Sequence, residues 1–105
     1  MGVVSGTPEL IARLWARFQP LAVQRVGAVG EYVRAGTEGS DAMYEAARQA
    51  AHDLVGSLGS YGHPEGSVLA ARLEELLGDR PGAMSAAARS EAQTLVASLE
   101  QEVGR

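Results

Sequence analysis

The chain has 105 residues and a formal charge of −4, which fits a single domain spanning 1–105 and leaves no room for a second independent core. Nine basic residues scattered among thirteen acidic ones supply no basic face for displacing counterions from nucleic-acid phosphates, and the absence of cysteine excludes disulfides, thiol redox chemistry and cysteine-ligated zinc. No apolar run approaches the ~20 residues of a membrane span, and the N-terminus lacks the basic start and apolar stretch of a signal peptide. A cytoplasmic domain without nucleic-acid or membrane partners is therefore expected.

Hydrophobic residues make up 46% of the chain but aromatics only 5%, so alanine and leucine carry most of the apolar load. These are strong helix formers, and the residue types that favour strands are sparse. The expected fold class is all-α.

In chain order, Thr7-Pro8-Glu9 reads as a helix start, with Thr7 as cap and Pro8 at the first helical position. Ile11, Leu14, Trp15 and Phe18 follow at helical spacing, and Trp15 and Phe18 read as core. Pro20 is expected to kink or break this helix near Phe18 or Gln19, and Leu21, Arg25, Val26, Val29, Tyr32 and Val33 continue the pattern. Residues 7–35 are thus one kinked helix or two abutting ones. Gly36-Thr37-Glu38-Gly39 is a loop, and Ser40-Asp41 opens a helix expected to run to about Tyr61. Gly62-His63-Pro64 is a turn, with His63 as a turn or cap residue. Val68, Leu69, Leu73, Leu76 and Leu77 line a shorter helix ending at Gly78. After Asp79-Arg80-Pro81-Gly82, a last helix carries Met84, Ala88, Ala92, Leu95, Leu99 and Val103. Short connections imply antiparallel neighbours. The architecture expected is an antiparallel up-and-down four-helix bundle with a kinked or additional N-terminal helix.

The segment around His52 is the most informative. At about 100° per residue, Met43, Ala47, Ala50, Leu54, Leu58 and Tyr61 share one side of the helix, which must face the core. His52 falls nearly opposite, among Glu45, Arg48, Gln49, Val55, Gly56 and Gly59. A histidine buried for packing would share the leucine face, so His52 is expected to be exposed. Each glycine beside it costs about 1 kcal/mol relative to alanine in a helix interior. Two such costs next to one histidine suggest a surface that something approaches closely, and a partner's backbone or helix fits so flat a clearing.

His52-Asp53-Leu54-Val55-Gly56, with Gly59 and Gly62 following at three-residue steps, resembles the motif of histidine-containing phosphotransfer (HPt) domains. The resemblance extends through Leu73-Glu74, covering about 42–77 specifically and the rest only by helix pattern. It implies a helical bundle whose exposed histidine accepts a phosphoryl group from a receiver domain's aspartyl phosphate, or from a histidine kinase, and passes it on. An imidazole that is neutral near pH 7 has a free ring nitrogen able to attack phosphorus. By the same resemblance Glu74 accepts the Nδ1–H, fixing tautomer and ring orientation; the bland alternative is a solvated carboxylate beside Glu75. Gln49, Val55, Gly56 and Gly59 would form the docking surface.

One position departs from the family pattern: a lysine usually stands three residues after the histidine, and here that residue is Val55. Arg48, one turn before His52, is a substitute cation for the phosphoryl group, and Arg72 on the following helix is another. Alternatively, Val55 enlarges an apolar docking patch, or the domain docks receivers without accepting phosphate. No nucleophile elbow and no phosphate-binding loop is present, so no ATP site, cofactor or metal is expected. The metal of such transfers, Mg²⁺ in resembling systems, belongs to the receiver. Two readings follow: a phosphorelay intermediate, expected to be monomeric, and a non-catalytic adaptor of the same fold.

Overall fold

A computed structural model describes residues 2–105, with side chains from residue 7 onward. Among them are four helices: α1 (Gly2–Ala35), α2 (Asp41–Ser60), α3 (Pro64–Leu77) and α4 (Ala86–Val103), with a 3-10 turn at Gly36–Glu38. Each helix packs on its neighbours in the order α1–α2–α3–α4, and α4 returns to α1, so the four close a bundle. No strand occurs among the described residues.

The N-terminal segment is a single helix of 34 residues with Pro8 and Pro20 inside it. It starts before Thr7, which is therefore not its cap. Pro20 leaves the carbonyl of Ala16 without its helical donor, but both residues are exposed, so water can satisfy that oxygen. At about 1.5 Å per residue α1 spans ~51 Å, close to the 55 Å long axis of the molecule. The other helices are shorter, so α1 forms the spine along which they pack. Gln19, where a break was expected, instead donates from Nε2 to the carbonyl of Val103 at 2.7 Å. One of the open carbonyls that end α4 is thereby satisfied.

Local chemistry explains the other boundaries. Ser40 and Ser85 cap α2 and α4, their hydroxyls accepting from the amides of Met43 and Ala88. Pro64 starts α3, and Gly78 ends it at a φ of 77°, a conformation that glycine adopts without strain. Met84 precedes α4 rather than lying within it, yet its side chain is buried.

The core joins Val26, Val29 and Val33 of α1 with Leu54 and Leu58 of α2, Leu73 and Leu77 of α3, and Val96, Leu99 and Val103 of α4. Trp15 and Phe18 pack against it, partly buried. Three expectations fail here. Tyr61 is half-buried at the C-cap of α2 instead of in the core. Tyr44, not Met43, is the buried residue in the first turn of α2, where its hydroxyl donates to the carbonyl of Gly78 at 2.7 Å. Val68 is 69% exposed, because α3 meets its neighbours through the small residues Gly66 and Ala70. A Cβ on Gly66 would lie 2.9 Å from Cδ1 of Leu58 and 3.2 Å from Cγ of Glu102. The missing side chain is what lets α2, α3 and α4 close there.

Candidate functional site

His52 sits near the middle of α2, and its side chain is 68% exposed. Across the α2–α3 crossing, its Nδ1 lies 2.9 Å from Oε2 of Glu74. A carboxylate offers only acceptors, so Nδ1 is the donor and carries the ring proton. In the neutral ring Nε2 is then the nitrogen with a free lone pair, on the side of the ring away from Glu74. The α2–α3 pair that sets this geometry is held by the hydroxyl of Ser67, which donates to the carbonyl of Val55.

On the opposite flank of His52, toward α1, lies an open groove of about 550 Å³. His52, Asp53, Gly56, Ser57 and Ser60 of α2 border it, with Tyr61 at its end and Arg25 of α1 as its far wall. Arg25 Nη2 lies 3.7 Å from Oδ2 of Asp53, and its guanidinium lies 5.6 Å from the ring centroid of Phe18. Phe18 in turn stacks on Tyr61 at 4.8 Å. The Ser57 and Ser60 hydroxyls donate back to the carbonyls of Asp53 and Gly56, at 2.7 and 3.0 Å.

The residues singled out from the sequence are distributed around this centre. Gly56 borders the groove, and a Cβ there would meet nothing within 4 Å. Gly59 is exposed on the α3 side, where a Cβ would touch Ser67 at ordinary contact distance. Gln49 lies between α1 and α2 and donates from Nε2 to Oδ1 of Asp53 at 2.9 Å. Val55 is half-buried and packs against the core. Arg48 is exposed, close enough to Tyr44 for its charge to act on the phenol. Arg72 turns away from His52: its guanidinium grips the Glu91 carboxylate of α4 with two bonds, at 2.7 and 3.0 Å. That pairing raises the arginine's pKa and lowers the carboxylate's.

His63 occupies the cap position of α3 but makes no cap bond. Its Nδ1 instead pairs with Glu102 of α4 at 2.9 Å, and its ring lies 4.1 Å from that of Trp15. Sequence reasoning missed Arg25, which is brought to the site by the register of α1 against α2. No local pattern carries that register. No cluster of three or more metal-ligating side chains occurs among the described residues, and no described helix is long and apolar enough to cross a membrane.

A helical bundle with an exposed, carboxylate-oriented histidine at a helix midpoint defines a class. A family model, the Hpt domain, matches residues 8–104, and the chain belongs to that family. Membership implies a phosphorelay histidine phosphotransfer role, and Hpt domains typically interact with receiver or kinase partners. No curated protein sequence and no solved structure matches the chain.

Proposed function

We propose that the protein is a phosphorelay intermediate that accepts and donates a phosphoryl group on Nε2 of His52. The observation that carries this reading is the 2.9 Å contact from Nδ1 to Glu74 on a histidine otherwise open to solvent. In the forward step the Nε2 lone pair attacks the phosphorus of a receiver's aspartyl phosphate. The N–P bond forms as the P–O bond breaks, and the aspartate leaves as a carboxylate with the bonding electrons. The ring becomes positively charged and keeps its proton on Nδ1. Glu74 orients the ring and offsets that charge, and the reverse step restores the neutral imidazole. Nothing in the step requires a nucleotide on this chain.

Gly56 and Gly59, with Gln49 and Val55 flanking them, form the surface on which the receiver or kinase docks. The domain works as a monomer in the cytoplasm, since one unobstructed face is what transfer needs. Arg48, exposed one turn before His52 on α2, serves as a contact for the phosphoryl group or the partner.

Val55 favours a second reading. Its apolar, half-buried side chain brings no charge to the histidine, which suits an adaptor that docks receivers without being phosphorylated. Incubation with a phosphorylated receiver separates the two. Transfer predicts acid-labile label on the wild-type chain and none on His52→Gln. Receiver binding that is unchanged in His52→Ala, with no phosphohistidine formed, establishes the adaptor and overturns the carrier.

A further inference from the structure

A phosphoryl group on Nε2 brings a charge of about −1.5 to −2 and three acceptor oxygens into the neighbourhood of His52. Those oxygens need donors, and the groove beside the ring offers few. The Ser57 and Ser60 hydroxyls already donate to backbone carbonyls within α2. Asp53 adds a carboxylate, and Glu74 stands on the other flank. Tyr61 has one neutral hydroxyl. Among the described residues Arg25 is the one cation on the groove's border, with five N–H donors in a fork that matches phosphoryl oxygens.

We propose that Arg25 of α1 binds the phosphoryl group carried by His52, moving to it from Asp53. Its present hold is weak enough to exchange. The 3.7 Å separation from Asp53 is longer than a direct hydrogen bond, and the pair is partly solvated. Asp53 does not lose its only partner on release, because Gln49 also donates to it. Phe18 keeps the guanidinium close to the groove throughout, since a cation–π contact constrains position without consuming N–H donors. Phosphorylation therefore draws a residue of α1 onto α2, and the spine helix takes part in the chemistry instead of only supporting it.

The inference rests on His52 being the acceptor, and a partner-free donor tests the two separately. Phosphoramidate transfers its phosphoryl group to Nε2 as its P–N bond breaks and ammonia leaves with the bonding electrons. Label on wild type that is absent from His52→Gln establishes the acceptor. Arg25→Gln, which keeps a polar side chain as far as Cδ but loses the guanidinium and its charge, is then expected to slow labelling about tenfold, with Arg25→Lys closer to wild type. Asp53→Asn, which frees Arg25 and removes a repelling carboxylate, is expected to speed it. The expected ³¹P NMR signature is a lower ionisation midpoint for the phosphoryl group in wild type than in Arg25→Gln, a shift that a purely structural arginine would not produce. Equal labelling rates in wild type and Arg25→Gln overturn the inference while leaving the acceptor intact. So does slowing confined to Arg48→Ala, or an Asp53→Asn rate at or below wild type. An unlabelled wild type overturns the acceptor and this inference with it.

Discussion

His52 and Glu74 meet across the α2–α3 crossing with Nδ1 and Oε2 2.9 Å apart, although neither residue is buried. Exposed polar pairs contribute little to stability, so this contact is expected to act on reactivity instead. It is expected to select the tautomer with a free Nε2 and to offset the charge that develops on the ring during transfer. Glu74→Gln keeps an acceptor oxygen but loses the charge, and Glu74→Ala loses both. Phosphoryl transfer from a phosphorylated receiver should fall in that order. In Glu74→Ala the drop should be about 10- to 100-fold, the rate equivalent of the ~1.5–3 kcal/mol of a hydrogen bond to a charged group. Equal initial rates in all three proteins would leave Glu74 without a role in orienting the ring.

Two helical glycines should respond to alanine with opposite signs. A Cβ at Gly56 meets nothing within 4 Å, so Gly56→Ala should gain the ~0.5–1 kcal/mol that alanine has over glycine in a helix. At Gly66 the added Cβ lies 2.9 Å from Leu58, whose fully buried side chain cannot swing aside. Overpacking of about 1–3 kcal/mol outweighs the propensity gain, so Gly66→Ala should lower the melting temperature. The open space at Gly56 also predicts that Gly56→Gln folds normally yet transfers poorly with a receiver, while chemical phosphorylation of His52 persists. Normal transfer in Gly56→Gln would show that no partner closes over that position.

The contrast between these glycines also shows how far the sequence could be read. Local signals placed α2, α3 and their caps within a residue or two, because Ser40 acts through its own hydroxyl and Pro64 and Gly78 through their own backbone. The 100° periodicity likewise put His52 opposite Leu54 and Leu58, and so outside the core. What periodicity lacks is the register of one helix against another. It therefore missed Arg25 beside Asp53, assigned Val68 to the core where Gly66 and Ala70 make the contact, and gave no reason to choose Tyr44 over Met43. The partnership of Glu74 with His52 entered only through family resemblance. Arg72 stood second to Arg48 as a cation for the phosphoryl group, and only the fold shows Glu91, on a different helix, holding it.

Tyr44 ties α2 to the end of α3 through the carbonyl of Gly78, and burial of its phenol raises its pKa above the ordinary tyrosine value of about 10. Tyr44→Phe should cost about 1 kcal/mol at neutral pH, read from urea unfolding. A folded-state pKa above the unfolded one means that the native state holds its proton longer. Tyr44's contribution is thus fully present below about pH 10 and declines as pH rises through the folded value. The stability gap between wild type and Tyr44→Phe should narrow over that alkaline range. A gap that stays constant to the end of the alkaline titration would show that the phenol's burial has no energetic consequence.

The two histidines of the chain should separate into one that serves chemistry and one that serves the fold. His52 is largely exposed, and replacing it by glutamine should leave stability within about 0.5 kcal/mol of wild type while removing the phosphoryl acceptor. His63 is mostly buried, paired with an equally buried Glu102 and packed on Trp15. His63→Ala leaves that carboxylate without its ring partner, at a cost of about 1–3 kcal/mol, and removes the surface against which α1 rests beside the α2–α3 turn. Trp15 is the only tryptophan, so its fluorescence reports on this end of the bundle. It should shift in His63→Ala and stay unchanged in His52→Gln, while acid-labile label shows the reverse dependence. If label is lost with His63 while the helical content holds, the assignment of chemistry to His52 fails, and the Glu102-paired ring takes its place.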